Sequence, residues 1–416
     1  MTESVPEQPI DASAIPQERL GALLNAKETV ERCFPKGWQC VEACLSVVAT
    51  LLLEDAQDPV ALILQGPPAS LKTTILSFFP SALDVVYRSD KFTPASFVSH
   101  HASARKQRLE GIDLLPRIRH KALVTPELAP LFRGGEEALT STFSVLTRVL
   151  DGQGLITDSG VHGQRGYEGD YNFVWLGATT PLPSSTWRVM AQLGSRLFFM
   201  PVPEGEATND ELEEIISGTE SYANKVSDCT SAVSAVVMGL LPSPEAVRSV
   251  KWERGMMPEE VSLPLMRLSR LLARLRGVVP ILGREGGNRP ELSSPVVEHP
   301  HRILNVFLNV ARGHALLYGR DYLTEADIAL LVPIALGSCP DHRRTLFKAI
   351  LKHNGSLTAE QGSRALRVGK ETARTYLEEL ERLDLVTMAQ NSQSQVFQLA
   401  EGWQWLLEQD LSDWNK

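Results

Sequence analysis

Lys72 and Thr73 are the residues best placed to do chemistry, because of what precedes them. The stretch from Gly66 through Pro67, Pro68, Ala69, Ser70 and Leu71 to Lys72, Thr73 and Thr74 keeps the P-loop spacing G-x-x-x-x-G-K-[ST], with leucine at the second glycine. In such a loop, backbone N–H groups and the start of a helix face phosphate oxygens. Lys72 would then reach the β- and γ-phosphates as a point charge, and the Thr73 hydroxyl would sit on Mg²⁺. The ordinary alternative is a strand–turn–helix with a chance Lys-Thr pair. The flanking residues favour the phosphate reading, since Val60–Gln65 (VALILQ) reads as a buried strand and Ile75, Leu76, Phe78 and Phe79 as an apolar helix. Leu71 is compatible with the loop if its backbone is helical and its side chain turns away from the phosphates.

A second chemical candidate is Glu127, in KALVTPELAPLF, where an apolar strand runs into a carboxylate that could polarise an attacking water. Pro126 stands beside it where an aspartate could hold Mg²⁺ through water. The alternative for Glu127 is a carboxylate favoured by a helix N-terminus. Further on, VWLGATT is a buried strand finishing in hydroxyls. Arg196 is the one charge in Gln192–Phe199 (QLGSRLFF) and must find an anion, of which a salt-bridge carboxylate is the plain candidate.

These residues need an α/β scaffold to meet. Glu18–Cys33 and Trp38–Leu53 read as helices, DVVY as a second strand, and Thr93 as the cap of a helix with Pro94 at its first position. Glu136–Leu150 is amphipathic, and the glycine-punctuated segment after it reads as a β-hairpin. Strands alternating with helices predict a parallel sheet. With 416 residues and 43% hydrophobic content, two to three domains with sizeable cores are expected. The net charge of −9 argues against a generally basic, nucleic-acid-coating surface, although a compact DNA-reading module can sit in an acidic chain. The five cysteines lack C-x-x-C pairs, and Cys40 and Cys44 read as buried thiols rather than metal ligands. No apolar run is long enough for a membrane span, and the acidic N-terminus is unlike a signal peptide, so a cytoplasmic location is expected.

In this order the motifs resemble the AAA+ ATPase superfamily, particularly members with a C-terminal winged helix such as RuvB-like branch-migration motors and MCM-type helicases. GPPASLKTT looks like their P-loop, LVTPE like a degenerate Walker B, and GATT like sensor 1, with Thr180 or Thr179 at its polar position. LGSRLFF looks like the arginine-finger segment. The resemblance implies ATP and Mg²⁺ as cofactors, Glu127 and Arg196 as catalytic residues, and Arg196 acting on a γ-phosphate held by a neighbouring copy in a ring, a hexamer being the expected form. The hairpin before GATT resembles one that some of these motors point into a central pore.

The remaining chain continues that resemblance. Glu204–Glu220 reads as an acidic linker, Leu265–Val279 as a helix with Arg267, Arg270, Arg274 and Arg276 on its polar side, and the segment 283–300 as a loop. The stretch 301–336 reads as two helices, the second capped by Thr324 with Asp327, and resembles the superfamily's lid. Arg302 falls on its sensor 2 position, the alternative being a surface arginine.

The last unit runs in winged-helix order, with helices at Arg344–Leu351, Thr358–Leu366 and Lys370–Leu383, then a hairpin whose wing is Asn391, Ser392 and Gln393. Ala373, Leu377, Leu380 and Leu383 face inward, which leaves Lys370, Arg374 and Thr375 for a DNA groove. The alternative is a winged helix used in protein packing. The closing GWQWLLEQDLSDWNK reads as a helix docked on the body or on a protein partner.

The expected organisation is an extension (1–35), a P-loop AAA+ core whose parallel sheet is flanked by helices (36–203), an α-helical lid with an insertion (204–337), a winged helix-turn-helix (340–400) and a helical tail (401–416). Two functions follow: an ATP-hydrolysing ring motor acting on DNA, or a nucleotide-dependent DNA-binding or regulatory assembly protein with slow or no hydrolysis.

Overall fold

Five apolar residues in a row followed by a buried glutamine, Val60–Gln65 (β1), lie inside a five-stranded sheet whose two faces are both covered. The computed structural model describes residues 17–99, 110–160, 163–194, 196–203, 208–217, 220–253, 255, 257–284, 290–391 and 394–408. The other strands of the sheet are Val86–Arg88 (β2), Ala122–Thr125 (β3), Val174–Thr179 (β6) and Leu197–Pro201 (β7), all parallel, in the order β2-β3-β6-β1-β7. Between β3 and β6 lies the expected hairpin, Gly154–Ser159 (β4) with Gly163–Glu168 (β5).

Alternation along the strands feeds two cores. Leu62 and Leu64 of β1, with Leu176, Phe198 and Met200, pack against helices Gln17–Cys33 (α1), Trp38–Ala49 (α2) and Lys72–Ser77 (α3) and against the helical C-terminal half. Ala61 and Ile63, with Trp175 and Phe199, face helices Leu114–Ile118, Glu136–Val149 and Ser184–Leu193 on the other side.

Several local expectations change. The helix at Thr93 is a single 3-10 turn, Pro94–Ser96, closed by a Thr93/Ser96 capping box. The expected linker 204–220 contains a helix, Asn209–Ser217, and a long helix, Tyr222–Leu240, packs against α1. The expected loop 283–300 carries an antiparallel pair, Ile281–Arg284 (β8) with Pro290–Leu292 (β9). Arg276 does not lie on a polar face. Helix Glu259–Arg276 turns it inward, where Nε donates to Ser338 O (2.9 Å) and a terminal nitrogen to Leu197 O (2.7 Å), and Glu298 lies 3.6 Å away.

The helix predicted from Thr324 is broken at Leu330 into Glu325–Ala329 and Leu331–Gly337, after the first helix His301–Leu317. Its Thr324/Asp327 capping box is formed.

The last unit holds helices Asp341–Lys352, Ala359–Leu366 and Lys370–Arg382 and a three-stranded sheet, order β10-β12-β11, made of Ser356–Thr358 (β10), Val386–Asn391 (β11) and Ser394–Leu399 (β12). Thr358 caps the second helix with Gln361, and Arg367 makes the turn in a left-handed conformation (φ 56°). Ala373, Leu377, Leu380 and Leu383 are buried, as their spacing predicts. Of the expected wing, Ser392 and Gln393 lie outside the described residues. The tail begins as a 3-10 helix, Glu401–Glu408, docked on the body: Trp403 Nε1 donates to Asp384 O (2.8 Å) and Arg267 lies over the Trp405 ring.

Candidate functional site

The strand order brings the sequence candidates to one sheet edge. β6 lies between β1 and β3, so the carboxyl ends of three strands sit side by side: Gln65 leading into Gly66, Thr179 into Thr180, and Thr125 into Pro126 and Glu127. From β1 the chain passes to β2 on one side of the sheet, while β7 fills the other side. A crevice outside carboxyl ends at such a reversal is where open α/β sheets take ligands.

The loop from Gly66 to Leu71 turns tightly, with Gly66 N donating to Thr179 O (3.3 Å) and Ser70 N to Pro67 O (3.3 Å). Ala69 takes φ 61°, a left-handed conformation that costs a non-glycine residue about 1 kcal/mol. Leu71 has φ −64° and ψ 2°, which leucine adopts freely, and its side chain packs against the core. No glycine-like dihedral is therefore required at this position. Lys72 is 6% exposed, and its Nζ donates to Pro67 O (2.5 Å) and Ser70 Oγ (2.8 Å), so the ammonium lies against the inside of the loop. Burial pushes its pKa below the usual lysine range, and the charge of Glu127 opposes that shift. Thr73 is exposed, and Thr74 Oγ1 lies 2.7 Å from the Tyr222 hydroxyl.

Glu127 is exposed, and one of its oxygens accepts the Ala129 N–H at 2.8 Å at the start of a 3-10 turn. It is set in place from below. Leu128 N donates to Ala178 O (2.8 Å), and Trp175 Nε1 donates to Thr125 Oγ1 (3.1 Å). Leu128 can approach so closely because residue 177 is glycine: a Cβ there would stand 2.3 Å from Leu128 Cδ1 and 2.9 Å from Ile63 Cδ1. The glycine of GATT thus makes room for the loop that carries Glu127.

Two polar residues at the same edge add to the motif. Gln65 and Thr179 are cross-strand neighbours, both buried, and among the described residues neither the Gln65 amide nor the Thr179 hydroxyl has a hydrogen-bond partner. Orphaned buried polar atoms are uncommon in folded proteins and fit a site that takes a polar ligand. Thr179 was a candidate from its motif; Gln65 is legible only as the one polar residue in an apolar strand. Thr180 follows, half-buried. Among the described residues no group of three His, Cys, Asp or Glu side chains gathers to hold a metal ion. Any Mg²⁺ here would be held chiefly by phosphate oxygens and the Thr73 hydroxyl.

Beside this edge, Val202 N donates to Gln65 O (2.8 Å) and begins the wall of a cavity of about 680 Å³. Gln39 and Glu42 of α2 line it, with His314, Tyr318 and Arg320 from the helical half. Its back wall is a buried ionic network: His314 Nδ1 lies 2.5 Å and Arg320 2.7 Å from Asp327, while the Tyr318 hydroxyl donates to Glu42.

Arg196 and Arg302 are elsewhere. Leu197 pairs with Ala61 and Pro201 with Gln65, so Arg196 precedes the amino end of β7, five strand steps or about 16 Å from the edge that carries the loop. That is beyond the reach of an arginine side chain. Arg196 Nε donates to Asp151 Oδ1 (2.8 Å) and a terminal nitrogen to Gly194 O (2.6 Å), while Arg302 lies 3.8 Å from the same carboxylate oxygen. The chain therefore holds two clusters, Lys72 with Glu127, Gln65 and Thr179 at one end of the sheet and Arg196 with Arg302 at the other.

No protein-family model and no curated protein matches the chain. Among solved structures it is similar to a full-length MCM homolog from Methanopyrus kandleri, at 14% identity and a TM-score of 0.41 over 80% of this chain and 62% of that one. It is also similar to the apo C-terminal region of NrS-1, at 11% identity and a TM-score of 0.29 over 95% of this chain and 79% of that one. The chain thus spans less than two thirds of the MCM homolog's length.

Lys370 is exposed at the start of its helix, Arg374 Nε donates to Glu378 (3.1 Å), and Thr375 Oγ1 donates to Glu371 O (3.1 Å). No helix among the described residues is long and apolar enough to cross a membrane.

Proposed function

We propose that the chain is an ATP-dependent AAA+ assembly protein acting on DNA. One observation carries the reading: the loop with buried Lys72, the Glu127 carboxylate and Gln65 and Thr179, whose side chains have no partner among the described residues, converge on one carboxyl edge, beside a cavity of nucleoside size. ATP would lay its phosphates along Gly66–Thr73, with Mg²⁺ on Thr73, and its base and ribose in the cavity. Lys72 would leave its loop contacts for the β/γ-phosphates, and Glu127 would hold the attacking water. Thr180 and Thr179 would sense the γ-phosphate.

Arg196 is too far from its own loop, which supports a role towards the ATP of a second copy, and Arg302, sharing its carboxylate, belongs with it. Copies joined in this way meet head to tail and close into a ring, a hexamer being the expected form. In this reading residues 1–35 are an extension, 36–203 the ATPase core, 204–337 the lid with its insertion, 340–400 a winged helix that presents Lys370, Arg374 and Thr375 to DNA, and 401–416 a tail. Without a membrane segment in the scheme, the protein would work in the cytoplasm.

The regulatory reading, slow or no hydrolysis, draws on two particulars: Pro126 replaces an acidic neighbour, and one oxygen of Glu127 is engaged by Ala129 N–H. ATP binding and turnover, each with and without single- and double-stranded DNA, separate the readings. For a motor, Lys72→Ala weakens binding and abolishes turnover, whereas Glu127→Gln keeps binding and lowers turnover by roughly a hundredfold or more. Binding without turnover in the unaltered chain establishes the regulator, and no binding at all removes both.

A further inference from the structure

Asp151 sits just beyond helix Glu136–Val149 and receives three arginines from three parts of the fold. Arg196, from the segment before β7, lies 2.8 Å from Oδ1; Arg302, in the first turn of helix His301–Leu317, lies 3.8 Å from the same oxygen; and Arg148 lies 3.7 Å from Oδ2. Three positive charges share one negative charge, and among the described residues no other carboxylate pairs with them within 4.0 Å. The two inner guanidiniums adjoin. A Cβ on Gly194, whose φ is +74°, would lie 3.6 Å from a terminal nitrogen of Arg196 and 3.7 Å from one of Arg302. Only 10% of the Arg196 side chain is exposed, against 36% for Arg302, so the first is anchored and the second faces outward. A cluster with this excess of fixed guanidinium forks is suited to a phosphate oxyanion.

We propose that Asp151 is a positioning residue that yokes Arg196 and Arg302 into one two-arginine unit, aimed at the terminal phosphate of an ATP bound by a second copy of this chain. The inference rests on the ATP-dependent assembly reading above. Asp151 touches no phosphate itself. It cancels part of the mutual repulsion of the arginines and holds Arg196 in one direction, and because Arg302 belongs to the helical half, it couples the pose of that half to the pose of Arg196.

The test uses mixed full-length chains. Lys72→Ala cannot turn over ATP but keeps an intact arginine unit, whereas Asp151→Asn keeps an intact loop. Asp151→Asn alone is expected to bind ATP within about twofold of the unaltered chain while its kcat falls roughly tenfold to a hundredfold. Adding Lys72→Ala chains restores turnover severalfold, as it does for Arg196→Ala, and Asp151→Asn combined with Arg196→Ala is no slower than Arg196→Ala alone.

If Lys72→Ala rescues Arg196→Ala but not Asp151→Asn, or if Asp151→Asn alone is as fast as the unaltered chain, the inference is overturned and the ATPase reading stands. If neither variant is rescued, the arginines do not act across a subunit boundary and both fall. Should the unaltered chain bind ATP without turnover, ATP-dependent assembly is read by sedimentation instead: Asp151→Asn is expected to need roughly tenfold more protein to assemble, and unchanged assembly overturns the inference.

Discussion

His314, on the wall of the cavity beside the Gly66 loop, holds its Nδ1 2.5 Å from Asp327 Oδ1, both side chains buried. The pair joins helix His301–Leu317 to Glu325–Ala329. Glu42, 3.6 Å from His314 Nε2, extends it to α2, and Arg320 and Thr324 complete the shell of Asp327.

This network predicts a pH optimum of stability. Burial disfavours the charged imidazole, but Asp327 and Glu42 outweigh it and raise the His314 pKa. Its contribution is therefore fully present below the unfolded value, about 6.5, and is lost as pH rises through the folded value. Burial likewise works against ionised Asp327, yet His314, Arg320 and Thr324 lower its pKa to about 2. That contribution is present above about 3.9 and lost as pH falls towards the folded value. Thermal unfolding at constant ionic strength should show a plateau between these limits. His314→Gln should remove the alkaline decline and cost roughly 3 kcal/mol at pH 6. An alkaline decline that survives the substitution would assign it to another group.

Gly177→Ala tests how Glu127 is held. The added methyl meets Leu128 and Ile63, both buried, so overpacking should cost about 1–3 kcal/mol in urea unfolding. Leu128→Ala should recover part of that loss, making the pair non-additive. Additive losses would mean that the methyl is accommodated by movement of β6 rather than of Leu128.

For the C-terminal unit, binding to duplex DNA measured across a salt series is decisive. Lys370→Ala should weaken binding to all sequences alike and reduce the slope of log K against log salt by about one. Arg374→Ala should do less, because Glu378 already engages that guanidinium. An unchanged slope in both variants moves the DNA contact elsewhere, the hairpin β4–β5 around Arg165 being the next candidate.

What the amino-acid order determined is what depends on near neighbours. The apolar run of β1, the spacing from Gly66 to Thr73, the Thr324 capping box and the inward stripe of Ala373, Leu377, Leu380 and Leu383 all express helix or strand periods within a few residues, and they appear in the fold as read. Short elements were not legible: β10 has three residues and is stable only against β12, and the β8–β9 pair lies in a stretch rich in glycine and proline. Arg276 was misread because its acceptors, Leu197 O and Ser338 O, are far away in the chain, and an amphipathic count sees only charge.

The tertiary structure alone decided which candidates meet. Inserting β6 between β1 and β3 sets Thr179 beside Gln65 and hangs Glu127 over the edge that carries Lys72, a consequence of strand pairing across more than a hundred residues. The same parallel register holds Arg196 a full strand away from that edge and delivers it, with Arg302, to Asp151. Motif order along a chain carries no information about which end of a sheet a residue occupies, because that is set by the direction in which its strand runs.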